Sequence, residues 1–541
     1  MLKSAVLNFL RRIILARLGQ GCATFNFINC DLPLVADSGS APLKIAIIGG
    51  GLAGMSAALV LGERGQSVTL LERNEYLGGK VGSWPIQFSD GSTTHISHGF
   101  HAFFRQYHNL RRLLARLGAD SFLRPMSDYL VITECKSLRF GKISPVPLIN
   151  IASMLREGFF SPMIFLKPSA WRLVIMLAYD RDRIFKDWDH VSFASFAKRA
   201  GLTQDFMAIM NNVCRSYFTA EGEMSTAEMF KASHTYFFSN DLGLVYDYMD
   251  DDYDATLIGP FRRALSCYGV GVRTGQCIKS IEVAEGGFLV DGERYDRLIV
   301  ASDIRSARTL VASSRSINVM APLLCQRLQG MKSARPYSVI RLWLDCDPFP
   351  QELPVFTFLE RRHFLDSLTL VHRAEQESSE WSSSHRGAVI ELHCYGLEAD
   401  HVPSPEAFLD GFMDDLCHYF PAARDAQILH QELQVRNDFT SYAIGQDSFR
   451  PDTTCQIPGL TFAGDWIRLP IPAMLMEAAC TSGLLAANEI LHELGLRPEP
   501  IESVPLRGLL SPGNSLKPLK PLKPLKPLKR FWNHLRSTVR I

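Results

Sequence analysis

Two groups of residues in this sequence have the types and spacing to do chemistry. Gly49, Gly51 and Gly54 form a Gly-x-Gly-x-x-Gly turn directly after the apolar run 45–48, and Glu72 closes a second apolar run, 68–71. Farther on, His95, His98 and His101 lie within seven residues, interleaved with and followed by Phe100, Phe103, Phe104 and Tyr107. The glycines are the pattern that brings a backbone against a pyrophosphate. Gly49 permits a tight turn, Gly51 a close approach, and Gly54 close packing of the next helix on a sheet. An acid at roughly the 20-residue interval, here Glu72, accepts ribose hydroxyls. The histidines have no carboxylate or cysteine at ligand spacing, so no metal is expected. They read instead as an apolar, aromatic site or as a core turn with satisfied histidines.

Such glycines work only between particular elements. The run 45–48 reads as a strand buried on both faces, 55–64 as a helix, and 68–71 as the next strand. The helix N-terminus then offers free N–H groups and a partial positive charge to phosphates. A second stretch of the same kind predicts a strand over 277–283, a hairpin through Glu285 and two glycines, a strand over 288–290 and a buried run at 298–301. A third, LTFAGDW, predicts a short strand ending at Gly464-Asp465, then a helix from near Ala473 to Leu491. Between them, 190–266 reads as mainly helical, with Ser225 or Thr226 as a cap. The acidic run 250–254 reads as a solvated loop. Residues 337–400 read as strands. Alternation there puts Ile390, Leu392 and Cys394 on one face and Glu391, His393 and Tyr395 on the other. Glu391 and His393 are either an acid–base pair or a surface ion pair.

Composition limits the rest. The chain has 541 residues, 47% hydrophobic and 21% charged, enough for two globular domains. Its net charge of +1 offers no global field for nucleic acid, so none is expected as a partner. Twelve scattered cysteines without a CxxC pair predict buried free thiols rather than zinc or disulfides. No apolar run is long enough to span a bilayer. Residues 1–20 are basic and amphipathic: a membrane-surface helix, a transit-like leader or an unstructured leader, followed by a linker to residue 43. Residues 145–185 alternate apolar patches with Lys167 and Arg172, and read equally as membrane-dipping or as a buried helical unit. From 496 to 541 the chain is a basic, Pro-rich tail with KPL repeats, excluding helix. It is a tether to anionic lipid or a bland spacer.

The continuation ERNEYLGGKVGSW, the segment HGFHAFFRQYHNL and the GD pair resemble those of FAD enzymes of the carotenoid desaturase and amine oxidase superfamily. They are most similar to the β-carotene desaturase/methylases that make aromatic-ring carotenoids. The resemblance covers about 44–495. It implies FAD, with contacts from Gly49, Gly51, Ala53, Gly54, Glu72, Arg73, Gly78, Gly79, Lys80, Gly99, Phe100, Ile278, Gly464, Asp465 and Met474. Phe103, Phe104 and Tyr107 would meet the substrate, and His98, His101 and Glu477 are the candidate catalytic groups.

The implied fold is α/β: a Rossmann-type, glutathione-reductase-like FAD domain assembled from 44–100, 267–312 and 455–495. An α+β substrate domain, 101–266 and 313–454, is inserted between these segments. The implied activity is desaturation of a β-ionone ring with migration of a geminal methyl, on a hydrophobic polyene drawn from a membrane surface. The protein would then lie peripherally on a cytoplasmic or plastid membrane face, with an electron acceptor the sequence does not identify. Desaturation or isomerisation of a linear carotene, and non-catalytic binding of flavin and carotenoid, are the alternatives. Amine oxidation has no identifiable aromatic cage in the sequence.

Overall fold

A computed structural model describes residues 23–24, 32–35, 41–220, 222–398 and 402–511. The leader at 1–20 and residues 512–541 of the tail lie outside the described residues; the rest of the expected tail, 496–511, packs on the protein instead, with Leu496 and Ile501 in the main core.

The apolar run of the first motif does become a strand, Lys44–Ile48, with its last four residues buried. Burial on both faces suits a parallel sheet covered on each side. Five parallel strands form that sheet in the order Gly271–Arg273, Ser67–Leu71, Lys44–Ile48, Arg297–Val300, Leu460–Phe462. The strands therefore come from three well-separated stretches of chain. Helix Leu52–Glu63 leaves the first strand through the glycine turn and is buried from Leu52 to Gly62. It packs along the second long buried helix, Leu475–Glu493. Their crossing is close because both lack bulk there: a Cβ on Gly483 would sit 2.1 Å from the Ala53 carbonyl oxygen.

The second sheet has seven strands, in the order Ile428–Arg436, Tyr337–Leu344, Ala388–Cys394, Ser367–Leu370, Phe356–Leu359, Leu130–Ile132, Ser137–Arg139. All neighbours are antiparallel except Phe356–Leu359 with Leu130–Ile132. Period-two alternation divides its faces. Ile390, Leu392 and Cys394 pack with Phe408, Phe412 and Leu416 of helix Pro405–Tyr419. The alternate residues Glu391 and His393 are buried too. The surface ion pair considered from sequence is thus not what forms.

Several local expectations change. The strand predicted over 277–283 is confined to Ile281–Ala284. Upstream, Gly275 turns with φ +67°, and Gln276 N–H donates to the Glu72 carbonyl, so Cys277 and Ile278 bend across the sheet's end instead of extending. The last helix begins at Leu475, with Met474 as its N-cap residue. Asp252, in the acidic run, is buried and accepts from the N–H groups of Asp254 and Ala255, capping the turn that follows. Cys135, Cys267, Cys277 and Cys346 are exposed thiols rather than buried ones. Ser225 caps helix Thr226–Ser233 as its sequence suggests, accepting from Ala227 and Glu228. Among the described residues no helix is long and apolar enough to cross a membrane.

The helix crossing gives a direct test. Gly483→Val places atoms on the Ala53 backbone, which cannot move without shifting the glycine turn. Overpacking of this kind costs about 1–3 kcal/mol. Urea unfolding of the variant should show a lower midpoint at unchanged slope; an unchanged midpoint would mean the two helices part freely.

Candidate functional site

The two sheets enclose one large cavity of about 1020 Å³. One end is made by backbone. Gly51 and Gly78 pair as a short parallel bridge, and Gly78 N–H donates to the Gly50 carbonyl at 2.8 Å. A Cβ on Gly79, at φ +56°, would lie 3.1 Å from Gly51 Cα. Gly54 faces away from the cavity, and a Cβ there would strike the Gly49 carbonyl oxygen at 1.9 Å. The turn is therefore two glycine loops pressed together with no side chain between them and the cavity.

Glu72 holds this turn in place. Its Oε2 accepts from Gly50 N–H at 2.6 Å and its Oε1 from Asn74 N–H at 2.9 Å. It lines the cavity, and each oxygen keeps a lone pair for a further donor such as a ribose hydroxyl. Lys80, at the end of the second loop, reaches Asp465 of the Gly464-Asp465 pair, Nζ to Oδ2 2.7 Å. Asp465 Oδ1 accepts from Thr440 at 2.9 Å. Gly464, at φ +142°, has no room for a Cβ beside the Trp466 ring. Ala53, Arg73, Ile278, Leu475 and Met476 complete this end. Leu475 takes φ +53°, uncommon for a non-glycine residue, and so starts its helix at the cavity wall.

The glycine loops, the acid, the half-buried cation beside Asp465 and a helix start facing the same space fit an extended dinucleotide such as FAD. The backbone N–H groups and Lys80 would meet its phosphates, Glu72 its ribose, and the first turn of helix Leu475–Glu493 its ring system.

The other end of the cavity is aromatic. Phe100 stacks on Phe356 at 5.0 Å, Tyr129 on Phe140 at 4.4 Å, and Phe104 meets Tyr246 at 5.2 Å. The hydroxyls of Tyr107 and Tyr236 meet at 2.9 Å. Tyr129, Phe140, Tyr246, Phe356 and Phe358 were not singled out from sequence. The alternation in VFTFLE, which puts Phe356 and Phe358 on one face, was the available signal.

Besides Gly54, four expected site residues do not line the cavity. Phe103 is fully buried in the main core and does not line the cavity; its neighbour Phe104 does. Met474 is buried just before the helix, and Leu475 and Met476 line the cavity in its place. Gly99 lies behind the wall: a Cβ on it, at φ +103°, would be 2.7 Å from His393 Cε1. Glu477 points away into the protein. Its Oε1 accepts from Asn109 N–H and Nδ2, and its Oε2 from Leu110 N–H, tying down the first turn of helix His108–Arg116. Burial pushes its carboxyl up to about 8 against those bonds. It anchors a helix and is no longer a catalytic candidate.

The three histidines diverge. His95 pairs with Glu377, and His98 Nδ1 lies 3.4 Å from the Tyr337 hydroxyl. His101 Nδ1 donates to the Gly99 carbonyl at 2.7 Å. Burial drives His98 down to about 3 and His101 to about 4, so both rings are neutral at pH 7.

The profile of the flavin containing amine oxidoreductase family matches residues 52–491. A carotenoid phi-ring synthase of Streptomyces griseus is 33% identical, over 87% of this chain and 92% of its own. A probable zeta-carotene desaturase of Synechococcus elongatus is 41% identical, over 83% and 99%. Among solved structures, cyclohexylamine oxidase from Brevibacterium oxydans superposes with a TM-score of 0.61 at 15% identity, covering 84% of this chain and 100% of that one.

Gly51 offers the sharpest test of the phosphate end. A Cβ there meets nothing closer than 3.9 Å, so Gly51→Asp folds, yet it sets a negative side chain in the phosphate cradle. Visible flavin absorbance per mole of purified protein should fall at least tenfold, with far-ultraviolet circular dichroism unchanged. A yellow variant would contradict the cradle.

Proposed function

The chain belongs to the flavin containing amine oxidoreductase family, and on that premise we propose that it is an FAD-dependent carotenoid desaturase that aromatises a β-ionone ring with migration of a geminal methyl. The observation that carries this reading is the lining of the cavity: polar backbone at one end, aromatic side chains at the other, continuous between them. The relative named for phi-ring synthesis supports the ring as the reacting part. The relative named for zeta-carotene desaturation supports a second reading, a linear carotene in the same cavity.

FAD, when bound, supplies the two-electron oxidant for a C–H bond. The chain's own residues do the rest. Lys80, the glycine loops and Glu72 hold the cofactor's phosphates and ribose. The N-terminus of helix Leu475–Glu493 presents N–H groups and the positive end of its dipole, which favour negative charge in the space before it. Phe100, Phe104, Tyr129, Tyr246 and Phe356 exclude water, and their faces stabilise a cationic ring during methyl migration. The migrating methyl is already on the ring, so no methyl donor is required.

A polyene has to be taken from lipid, and the 145–185 region supports a docking face. Phe159 and Ile164 are buried there, whereas Met163, Leu166 and Trp171 are 61%, 72% and 56% exposed, beside Lys167 and Arg172. Such a patch seats in the headgroup layer, apolar tips down and cations at the phosphates.

Expression in a β-carotene-producing host tests the function. Chromatography and mass spectrometry should show carotenoid lighter by four hydrogens per converted ring, a change required by arene formation. Unchanged β-carotene, with conversion only in a host accumulating linear carotenes, would overturn the ring reading in favour of the second one. Docking is tested by flotation with anionic vesicles. Leu166→Glu/Trp171→Glu should reduce the floated fraction several-fold with full flavin content, and equal flotation would exclude this patch.

A further inference from the structure

Desaturation removes a hydride and a proton from the substrate, and the reading above leaves the proton without an acceptor. The aromatic end of the cavity contains few groups that could take it. His98 and His101 are held neutral by burial, and His101 already spends its Nδ1 hydrogen on Gly99, with the Lys80 carbonyl also facing its ring. Bases whose conjugate acids are that strong accept a proton poorly. The tyrosines there are held protonated by burial. Asp465 is committed to Lys80 at the glycine end.

His393 differs from all of these. It stands in the middle of the seven-stranded sheet, opposite Val339 and Ser367, and lines the cavity. Its ring occupies the space that Gly99 leaves by having no side chain. Behind it, Glu391 lies two residues back on the same strand face, Oε2 to His393 Nε2 3.4 Å. Glu391 is in turn fixed by Arg341, whose Nη2 and Nε reach its Oε1 at 2.7 and 3.0 Å. Arg341 also holds Glu375 at 3.2 Å and donates to the His95 carbonyl. Burial works to raise the Glu391 carboxyl, but Arg341 and His393 together bring it down to about 2, so it stays ionised. An ionised carboxylate behind an imidazole orients the ring with Nε2–H toward itself and stabilises the protonated ring without taking the proton. That leaves the lone pair on Nδ1, near Gly99, on a ring that lines the cavity.

We propose that His393 is the catalytic base that accepts the substrate proton, with Glu391 as its positioning residue. The proposal rests on the carotenoid desaturase reading. In each two-electron step the hydride and its electron pair pass to oxidised flavin. In the methyl-shift step the methyl carries its bonding pair to the neighbouring carbon. The cation is then quenched as a C–H bond breaks, its pair becoming the new C=C bond and its proton moving to His393 Nδ1. Glu391 then pairs with a full imidazolium.

The test is a single oxygen-free turnover of the purified flavoprotein with β-carotene in detergent, in which bound flavin is the sole oxidant. Wild type is compared with His393→Ala, His393→Gln and Glu391→Gln, each with and without added imidazole. The expected result is undiminished flavin content in every variant and rates lowered on the order of 100-fold in both His393 variants. Imidazole should restore His393→Ala several-fold and shift its flavin absorbance even without substrate, because the vacated space readmits a ring. It should do neither for His393→Gln, which fills that space. Glu391→Gln should be slow and unresponsive. Full activity in His393→Ala, or a loss that imidazole leaves untouched, would overturn the base assignment while an active wild type keeps the desaturase reading. An inactive wild type would overturn both.

Discussion

At the cofactor end the backbone comes closer to itself than any side chain would permit. Three separate contacts meet around one turn: Gly54 against the Gly49 carbonyl, Gly79 against Gly51, and Gly483 against the Ala53 carbonyl. Each joins a different stretch of chain, and Lys80–Asp465 adds an ion pair between residues far apart in sequence. The parallel sheet exists to hold these contacts. Its strands at 44–48, 67–71, 271–273, 297–300 and 460–462 all deliver their C-terminal ends to the same edge, where ligands bind in open α/β sheets.

The second sheet solves a different problem. An oily substrate and an ionisable group must occupy the same cavity, although burying charge is costly unless it is paired. Period-two alternation meets both needs in one strand. Ile390, Leu392 and Cys394 go to the helix-covered core, and Glu391 and His393 go to the face toward the cavity, where Arg341 balances the carboxylate. The aromatic chamber is then assembled from elements that share no local sequence: Phe100 and Phe104 from the histidine-rich segment, Tyr129 and Phe140 from the edge of the sheet, Phe356 and Phe358 from its interior.

What was legible in the sequence follows from this division. Gly49, Gly51 and Gly54 could be read because a backbone constraint restricts residue type wherever it occurs, and so could the strand–turn–helix order around the first motif. Gly78, Gly79 and Gly464-Asp465 were legible as cofactor positions only through the family resemblance. Side-chain direction was not legible where it depends on tertiary phase. Phe103 and Phe104 are adjacent, and only the pairing of their short strand with Tyr246–Met249 decides which one meets the cavity. Glu477 looks like a flavin-side acid from its place in the last helix, but the helix rotates it onto the first turn of His108–Arg116. The strand misplaced at Cys277 fails on a single glycine turn. His393 had only its alternation to mark it; the carboxylate–arginine pair behind it is a product of two strands pairing, Arg341 opposite Glu391.

The central claim is that one continuous cavity brings an oxidisable carotenoid to the flavin. Its most direct measurement is the visible spectrum of the oxidised flavoprotein mixed with β-carotene in the absence of oxygen. The account predicts bleaching of the flavin band as a new carotenoid species appears in proportion. A flavin that light or a chemical reductant bleaches, yet that stays oxidised with β-carotene and with linear carotenes alike, would contradict it and leave a protein that binds flavin without oxidising a polyene.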